Sequence, residues 1–236
     1  MSIPSAPIAV ALDAPDLETA ARWASQVTPH VSTVKVGLEL YLRYGPGVLA
    51  SVRGASQVQV FLDLKLHDIP ATVASAARVV ARLRPALLTV HAAGGRAMIQ
   101  AAVNAAPETQ IAAVTVLTSL READLAATGV MGAALDVVRR RSVLAVEAGA
   151  RALVCSPHEV AAVRAEVGPD VKLITPGVRP AGSDIGDQAR VATPQEALNA
   201  GADLLVIGRP ITQAPDPGAA AAALAASLRR AATSAS

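Results

Sequence analysis

Short apolar runs alternate with longer amphipathic stretches along the whole chain, and this alternation constrains the fold more than any other feature. It predicts eight strands, at residues 8–13, 33–37, 58–64, 87–91, 110–117, 152–155, 171–175 and 204–207. Helices are expected at residues 16–27, 40–50, 70–83, from 94 onward, 134–148, 157–167, from 194 onward and in the tail after 218. Strands that alternate with helices pair in parallel, and eight such units close into a barrel.

The chain has no Pro/Ser-rich linker and no change of composition that would divide it, so one domain is expected over residues 1–236. We therefore predict an α/β fold, a single-domain (β/α)8 TIM barrel, with residues 1–7 and about 230–236 frayed. The alternative is an open, doubly wound sheet. That fold carries a glycine fingerprint after its first strand, where this chain has Asp13-Ala14-Pro15-Asp16.

The amino-acid composition limits the kinds of molecule that the protein can bind. Aromatic residues make up only 2% of the chain, which leaves few rings for stacking nucleic-acid bases. The net charge is +2 and the arginines are scattered, so no nucleic acid is expected as a partner. A small phosphorylated ligand fits this charge better.

The single cysteine, Cys155, excludes an internal disulfide and indicates a reducing compartment. A buried position at a strand end is its expected place. Residues 1–7 lack the basic and apolar regions of a signal peptide, and no apolar run reaches membrane-spanning length. We predict a cytoplasmic protein without membrane contact.

In a barrel of this kind, the functional site lies at the carboxyl ends of the strands. Polar residues at the predicted strand ends are Asp13, Lys35, Asp63, Lys65, His91, Thr118, Ser119, Arg179 and Arg209. The chain has only three lysines, and two of them are in this set. Since arginine hardly gives up a proton, lysine at these positions suggests a compact charge or a proton source.

Asp63 and Lys65 are two residues apart near the end of the third strand, so alternation predicts that they share a face. Asp68 is expected to cap the next helix, with Pro70 in its first turn. Taken alone, this pattern also fits a salt bridge and a helix cap without catalytic function. Together with Lys35, however, it predicts a charged cluster that keeps Lys65 in its ammonium form, suited to protonate a carbanion.

A phosphate site is expected at the last two strands. The Gly- and Asp-rich stretch 182–188 can wrap a ligand, Gly208 lets backbone N–H groups approach, and Arg209 can bind phosphate oxygens. Such a loop alone also fits a solvated turn. Asp13 fits a turn cap as well as ligand binding, and His91 fits a histidine bonded to neighbouring backbone. The other histidines lack the spacing of zinc ligands, so no metal is expected.

These residues form a recognisable pattern. The string Asp63-Leu64-Lys65-Leu66-His67-Asp68-Ile69-Pro70-Ala71-Thr72 resembles the D-x-K-x-x-D-I-P-x-T signature of the bacterial orotidine 5′-phosphate decarboxylase family. Ala71 stands where relatives often have Asn. Further similar strings, in the same order as in that family, begin at Val10, Lys35, Val90, Leu117, Pro176, Gly186 and Val206.

The resemblance implies decarboxylation of orotidine 5′-phosphate to uridine 5′-phosphate without a cofactor, in pyrimidine synthesis. It implies that Asp13 and Lys35 hold the ribose hydroxyls, that Asp63 faces the departing carboxylate, and that Lys65 protonates C6. It further implies a homodimer in which Asp68 and Thr72 reach the neighbouring subunit's site. Substrate contacts implied for the base and the phosphate are Thr118, Arg179, Gln188, Gly208 and Arg209.

Two other functions stay open at this point. Sugar-phosphate decarboxylases and aldolases of the same suprafamily share D-x-K-x-x-D but use magnesium, held by a glutamate where this chain has Lys35. A charged lysine cannot coordinate magnesium. The second alternative is a nucleotide-binding module without catalysis, against which Asp63 and Lys65 are both present.

Overall fold

The fold is a closed barrel of eight parallel strands in the order β1 to β8. A computed structural model describes residues 5–54, 58–179 and 192–234. The strands are β1 (Ala6–Ala11), β2 (Val31–Gly37), β3 (Gln59–Leu66), β4 (Leu87–His91), β5 (Gln110–Val114), β6 (Ala152–Val154), β7 (Lys172–Thr175) and β8 (Leu204–Ile207). Each strand pairs in parallel with the next, and β8 pairs with β1. The predicted (β/α)8 barrel is therefore confirmed.

Helices cover the outside of the barrel. They are α1 (Leu17–Val27), α2 (Leu38–Tyr44), α3 (Gly47–Arg53), α4 (Pro70–Ala81), α5 (Gly95–Ala105), α6 (Glu122–Ala127), α7 (Ala134–Glu147), α8 (Val160–Val167), α9 (Pro194–Asn199), α10 (Arg209–Thr212) and α11 (Pro217–Ser234). A short 3-10 turn, Ala92–Gly94, precedes α5. The fraying expected for residues 1–7 and 230–236 stays a prediction.

Three local predictions about helices were wrong. The helix expected over 40–50 is two helices, because Gly45 adopts a φ of 62° and Pro46 follows it. Helix α6 lies in a stretch expected to be a connection, and α10 directly after β8 was not expected.

Asp68 is not the cap of α4. The capping position is Ile69, which has extended backbone because Pro70 at the first helical position disfavours a helical conformation before it. Asp68 is thus one residue too early to cap, and its Oδ1 instead accepts a hydrogen bond from the Ile69 N–H at 2.6 Å. The Asp68 side chain remains exposed to solvent.

The apolar core has two parts. A small cluster fills the barrel interior, with Phe61 as its largest member beside Ala9, Leu87, Ala112, Ala152, Ile174 and Leu204. A larger shell lies between the strands and the helices. Small alanines on the interior faces of β1, β5 and β6 leave the space that the Phe61 ring occupies. Apolar side chains therefore fill the lower part of the barrel interior. Polar side chains occupy the layer at the carboxyl ends of the strands.

Strands β3 and β4 lose their regular register just below the carboxyl end of the barrel. Leu62 lies opposite Leu88, whereas Leu66 lies opposite Val90, so β3 contains two more residues than β4 over the same span. Within this bulge Lys65 has a φ of 50°, in the left-handed region that residues other than glycine rarely adopt. The end of β3 is therefore irregular, and side chains do not simply alternate between the two faces of the strand there.

Within residues 5–54, 58–179 and 192–234, no helix is both long and apolar enough to cross a membrane.

Candidate active site

A cavity of about 530 Å³ opens at the carboxyl ends of the strands. Its floor is apolar and includes Phe61, Val114, Val154 and Val206. Eight of the residues that the sequence singled out line its walls: Asp13, Lys35, Asp63, Lys65, Thr118, Arg179, Gly208 and Arg209. A polar rim above an apolar floor is the usual composition of a small-molecule site.

Four charged side chains form a continuous array on one wall. Lys35 Nζ lies 3.6 Å from Asp13 Oδ1 and 3.6 Å from Asp63 Oδ2. Lys65 Nζ lies 2.9 Å from the other carboxylate oxygen, Asp63 Oδ1. Asp63 is the centre of this array and is the more buried carboxylate, with its side chain 13% exposed against 64% for Asp13.

The strand register explains how the array is assembled. Lys35 of β2 pairs with Ala11 of β1, and Asp63 of β3 pairs with Gly37 of β2, so the three strand ends are staggered side by side. Gly37 leaves the room that the array needs. A Cβ at this position would lie 3.2 Å from Asp13 Oδ1 and 3.3 Å from Lys35 Nζ, which is tighter than an ordinary contact.

The array keeps Asp63 ionised. Burial alone would raise the pKa of the Asp63 carboxyl. The ammonium groups of Lys35 and Lys65, with hydrogen bonds from Lys65 and Thr89, outweigh burial and hold that pKa below its ordinary value of 3.8. A fixed negative charge therefore lies between two cations at the cavity wall.

The opposite side of the cavity is cationic. Arg179 follows β7 and is only 9% exposed, and its Nη1 donates to the Val178 carbonyl oxygen at 3.0 Å. Gly208 directly follows β8, and Arg209 begins α10. The two arginines thus follow the last two strands, where the sequence placed them, and their binding of phosphate stays a prediction. Gln188 and the stretch 182–188 lie outside the described residues.

Asp68 and Thr72 are not part of the cavity lining of their own chain. Both side chains are exposed, at the loop before α4 and in its first turn.

His91 has the place expected of a histidine bonded to neighbouring backbone. Its Nδ1 accepts a hydrogen bond from the Ala93 N–H at 3.2 Å, and its ring stacks on His67 with centroids 5.3 Å apart. Burial, with the charges of Arg141, His67 and Lys65, lowers the pKa of His91 to about 4. The imidazole is therefore neutral at neutral pH and acts as a hydrogen-bond acceptor.

Cys155 is fully buried at the end of β6, as predicted. In the part of the chain that the structure describes, no group of three or more His, Cys, Asp or Glu side chains converges on a point that could hold a metal ion.

Sequence reasoning missed three residues at the site. Gln213 lines the cavity but lies in the unpredicted turn after α10. The room at Gly37 depends on its distances to Lys35, on the same strand, and to Asp13, which follows β1. Thr89 is a buried hydroxyl between the apolar residues Leu88 and Val90, and that contrast was the only signal in the sequence.

The chain is similar to known proteins over most of its length. Residues 6–224 match the model of the family described as Orotidine 5'-phosphate decarboxylase / HUMPS family. The chain is 77% identical over 226 residues to the orotidine 5'-phosphate decarboxylase of Thermobifida fusca, covering 96% of this chain and 97% of the relative. It is 60% identical to the enzyme of that name from Frankia casuarinae, covering 94% of this chain and 88% of the relative.

Solved structures are also similar. The crystal structure of orotidine 5'-phosphate decarboxylase from Lactobacillus acidophilus matches with a TM-score of 0.83 at 33% identity, over 95% of this chain and 99% of that one. An uncharacterized conserved protein from Geobacillus kaustophilus matches with a TM-score of 0.81 at 34% identity, over 94% of this chain and 100% of that one. With a family match over nearly its whole length and relatives of this identity, the chain belongs to the orotidine 5'-phosphate decarboxylase / HUMPS family.

Proposed function

We propose that this protein decarboxylates orotidine 5′-phosphate to uridine 5′-phosphate and CO2, without a metal or cofactor, in pyrimidine synthesis. The observation that carries the proposal is the Lys35–Asp63–Lys65 array, which faces a cavity whose far side holds Arg179 and Arg209. The names of the similar enzymes from Thermobifida fusca and Frankia casuarinae support the same reaction.

The proposed chemistry needs a cation that is also a proton donor. The bond between C6 and the carboxylate carbon breaks, CO2 leaves, and the electron pair stays on C6. The Lys65 ammonium stabilises this carbanion and donates a proton to it, then regains a proton from water. Asp63 accepts from Lys65 Nζ at 2.9 Å, which holds the ammonium beside the place of the departing carboxylate.

The remaining wall residues position the nucleotide. Asp13 and Lys35 are proposed to bind the ribose hydroxyls, and Thr118 the pyrimidine. Arg179, Gln188, Gly208 and Arg209 are proposed to bind the phosphate. Holding the phosphate far from the reacting carbon converts binding free energy into alignment of the ring with Lys65.

Lys35 distinguishes this proposal from the magnesium-dependent alternative. Its ammonium lies between the Asp13 and Asp63 carboxylates, 3.6 Å from each. The cationic position between these two oxygen donors is thus occupied by the protein's own side chain.

A homodimer with shared sites is part of the proposal. Asp68 and Thr72 are exposed and lie outside their own cavity, so they are available to a neighbouring subunit. Leu38 and Leu42, after β2, are 46% and 78% exposed, and Ile69, after the adjacent β3, is 66% exposed. Apolar side chains of this size at the same end of the barrel favour a protein contact.

The decisive experiment follows the ultraviolet absorbance of orotidine 5′-phosphate with purified protein, with and without a chelator. Conversion to uridine 5′-phosphate at an unchanged rate in chelator is the expected result. A folded protein that acts only on sugar phosphates, and only with added Mg²⁺, would contradict the proposal in favour of the magnesium-dependent relatives. A protein that binds nucleotides but converts none of these substrates would identify a binding module.

Arg209→Ala tests the phosphate assignment. Loss of charge-assisted hydrogen bonds costs about 1.5–3 kcal/mol, so the Kd for uridine 5′-phosphate is expected to rise about 10- to 100-fold. The Kd for uridine, which has no phosphate, is expected to stay nearly unchanged. Calorimetric titration of both ligands measures the difference.

The matched control for this variant is Arg151→Ala, an exposed arginine just before β6 at the other end of the barrel. It is expected to bind both ligands as the unmodified protein does. Equal losses of uridine and uridine 5′-phosphate affinity in Arg209→Ala would contradict the assignment.

A further inference from the structure

The bulge in β3 is bridged by one side chain of the next strand. Between the paired positions Leu62↔Leu88 and Leu66↔Val90, β3 has residues 63–65 and β4 has only Thr89. No residue of β4 is therefore in register with Lys65. Both members of the Asp63–Lys65 pair lie inside the irregular segment.

The Thr89 hydroxyl completes this segment. The Lys65 backbone N–H donates to Thr89 Oγ1 at 2.8 Å, and Thr89 Oγ1 in turn donates to Asp63 Oδ1 at 3.0 Å. One hydroxyl has one donor and two acceptor lone pairs, so it can make both bonds at once. Thr89 is fully buried, which removes water as a competitor for either bond.

Both bonds act on the geometry of the reacting pair. Lys65 has a φ of 50°, and a conformation of this kind persists only where its surroundings hold it. The Asp63 oxygen that accepts from Thr89 is the same Oδ1 that accepts from Lys65 Nζ at 2.9 Å. The hydroxyl thus fixes the Lys65 backbone from one side and the partner of its ammonium group from the other.

We propose that Thr89 is a positioning residue for the decarboxylation, which holds Lys65 and Asp63 in the mutual geometry needed for protonation of C6. The inference rests on the proposed function. It concerns a residue that does not line the substrate cavity and acts only through Asp63 and Lys65.

The test compares Thr89→Val, which keeps the shape but removes the hydroxyl, with Thr89→Ser, which keeps the hydroxyl. Misplacement of a catalytic group by about 1 Å costs about 100-fold in rate, so kcat of Thr89→Val is expected to fall about 10- to 100-fold. KM is expected to stay within about threefold, because substrate contacts are unchanged. Thr89→Ser is expected to retain most of the activity.

A pH profile separates this role from a general structural one. The Thr89 hydrogen bond is among the causes that lower the pKa of Asp63, so its loss raises that pKa. In Thr89→Val the acid limb of kcat/KM is therefore expected to move to higher pH, whereas in Thr89→Ser it stays in place. The matched control is Thr33→Val, a threonine 1% exposed in β2, whose hydroxyl lies 3.1 Å from that of Ser32.

Equal kcat values and pH profiles for Thr89→Val and the unmodified protein would overturn the inference, as would equal losses in Thr89→Val and Thr89→Ser. If Thr89→Val does not fold, Thr89→Cys is tested in its place, because a thiol is a poor hydrogen-bond donor. The same two results, now for Thr89→Cys, would then overturn the inference. The unmodified protein is assayed first. Its failure to convert orotidine 5′-phosphate overturns the proposed function, whereas conversion with an unaffected Thr89 variant overturns only this inference.

Discussion

Replacement of Lys65 by alanine is expected to lower kcat for orotidine 5′-phosphate by about 10⁴-fold or more. Proton donation by a positioned group contributes about 10²–10⁴-fold, and electrostatic stabilisation of developing charge contributes about 10²–10³-fold. Lys65 is proposed to supply both. Its Nζ is the group of the array that donates to Asp63 at 2.9 Å while it faces the cavity.

The measurement is the absorbance assay at high enzyme concentration, with calorimetric titration of uridine 5′-phosphate on the same samples. Binding is expected to be largely retained, because the arginines of the phosphate side are unchanged. Lys172→Ala is the matched control, since Lys172 is the third lysine of the chain and lies at the amino end of β7, away from the cavity. Turnover near that of the unmodified protein in Lys65→Ala would remove Lys65 from the acid role.

Mixing two inactive variants is expected to restore activity if the sites are shared between subunits. In a hybrid of Lys65→Ala and Asp68→Ala chains, one site carries both defects and the other carries neither. Random reassociation of a symmetric dimer then gives about a quarter of the unmodified activity. The assay is run after partial unfolding and refolding of the mixture.

The matched control mixes Lys65→Ala with Asp63→Ala. Asp63 and Lys65 form an ion pair within one chain, so both hybrid sites stay defective and no recovery is expected. Mass spectrometry of the intact dimers verifies that subunits have exchanged in both mixtures. Exchange without recovery in the first mixture would argue against a composite site.

The barrel was predictable because its strands are buried apolar runs separated by turn residues at regular spacing. The bounds of β4 and β8 match the sequence prediction fully, since His91 and Gly208 end their apolar runs sharply. The charged site was predictable for a related reason. Ionisable residues at the ends of such runs must meet at one end of the barrel, wherever the helices begin and end.

The remaining features depend on contacts between strands, which a local pattern does not contain. The sequence correctly predicted that Asp63 and Lys65 lie together. The bulge that shapes their geometry, however, depends on the register of β3 against β4 and breaks the alternation on which that prediction rested. Thr89 acts on Asp63 of the neighbouring β3, and Gly37 makes room for Asp13, which follows the neighbouring β1. Helix α10 has only four residues, too short for a periodic pattern to reveal.

The burial of Cys155 has a practical consequence for studying the array. Its side chain is fully buried, and burial, with the nearby Glu159 carboxylate, raises the pKa of its thiol. Accessible thiolates are the groups that attack alkylating reagents, so this cysteine is protected in the folded protein. A cysteine introduced at position 65 would then be the sole reactive thiol of the chain. Treatment with bromoethylamine would install a thioether analogue of lysine there, so that the proton donor can be varied by chemical modification.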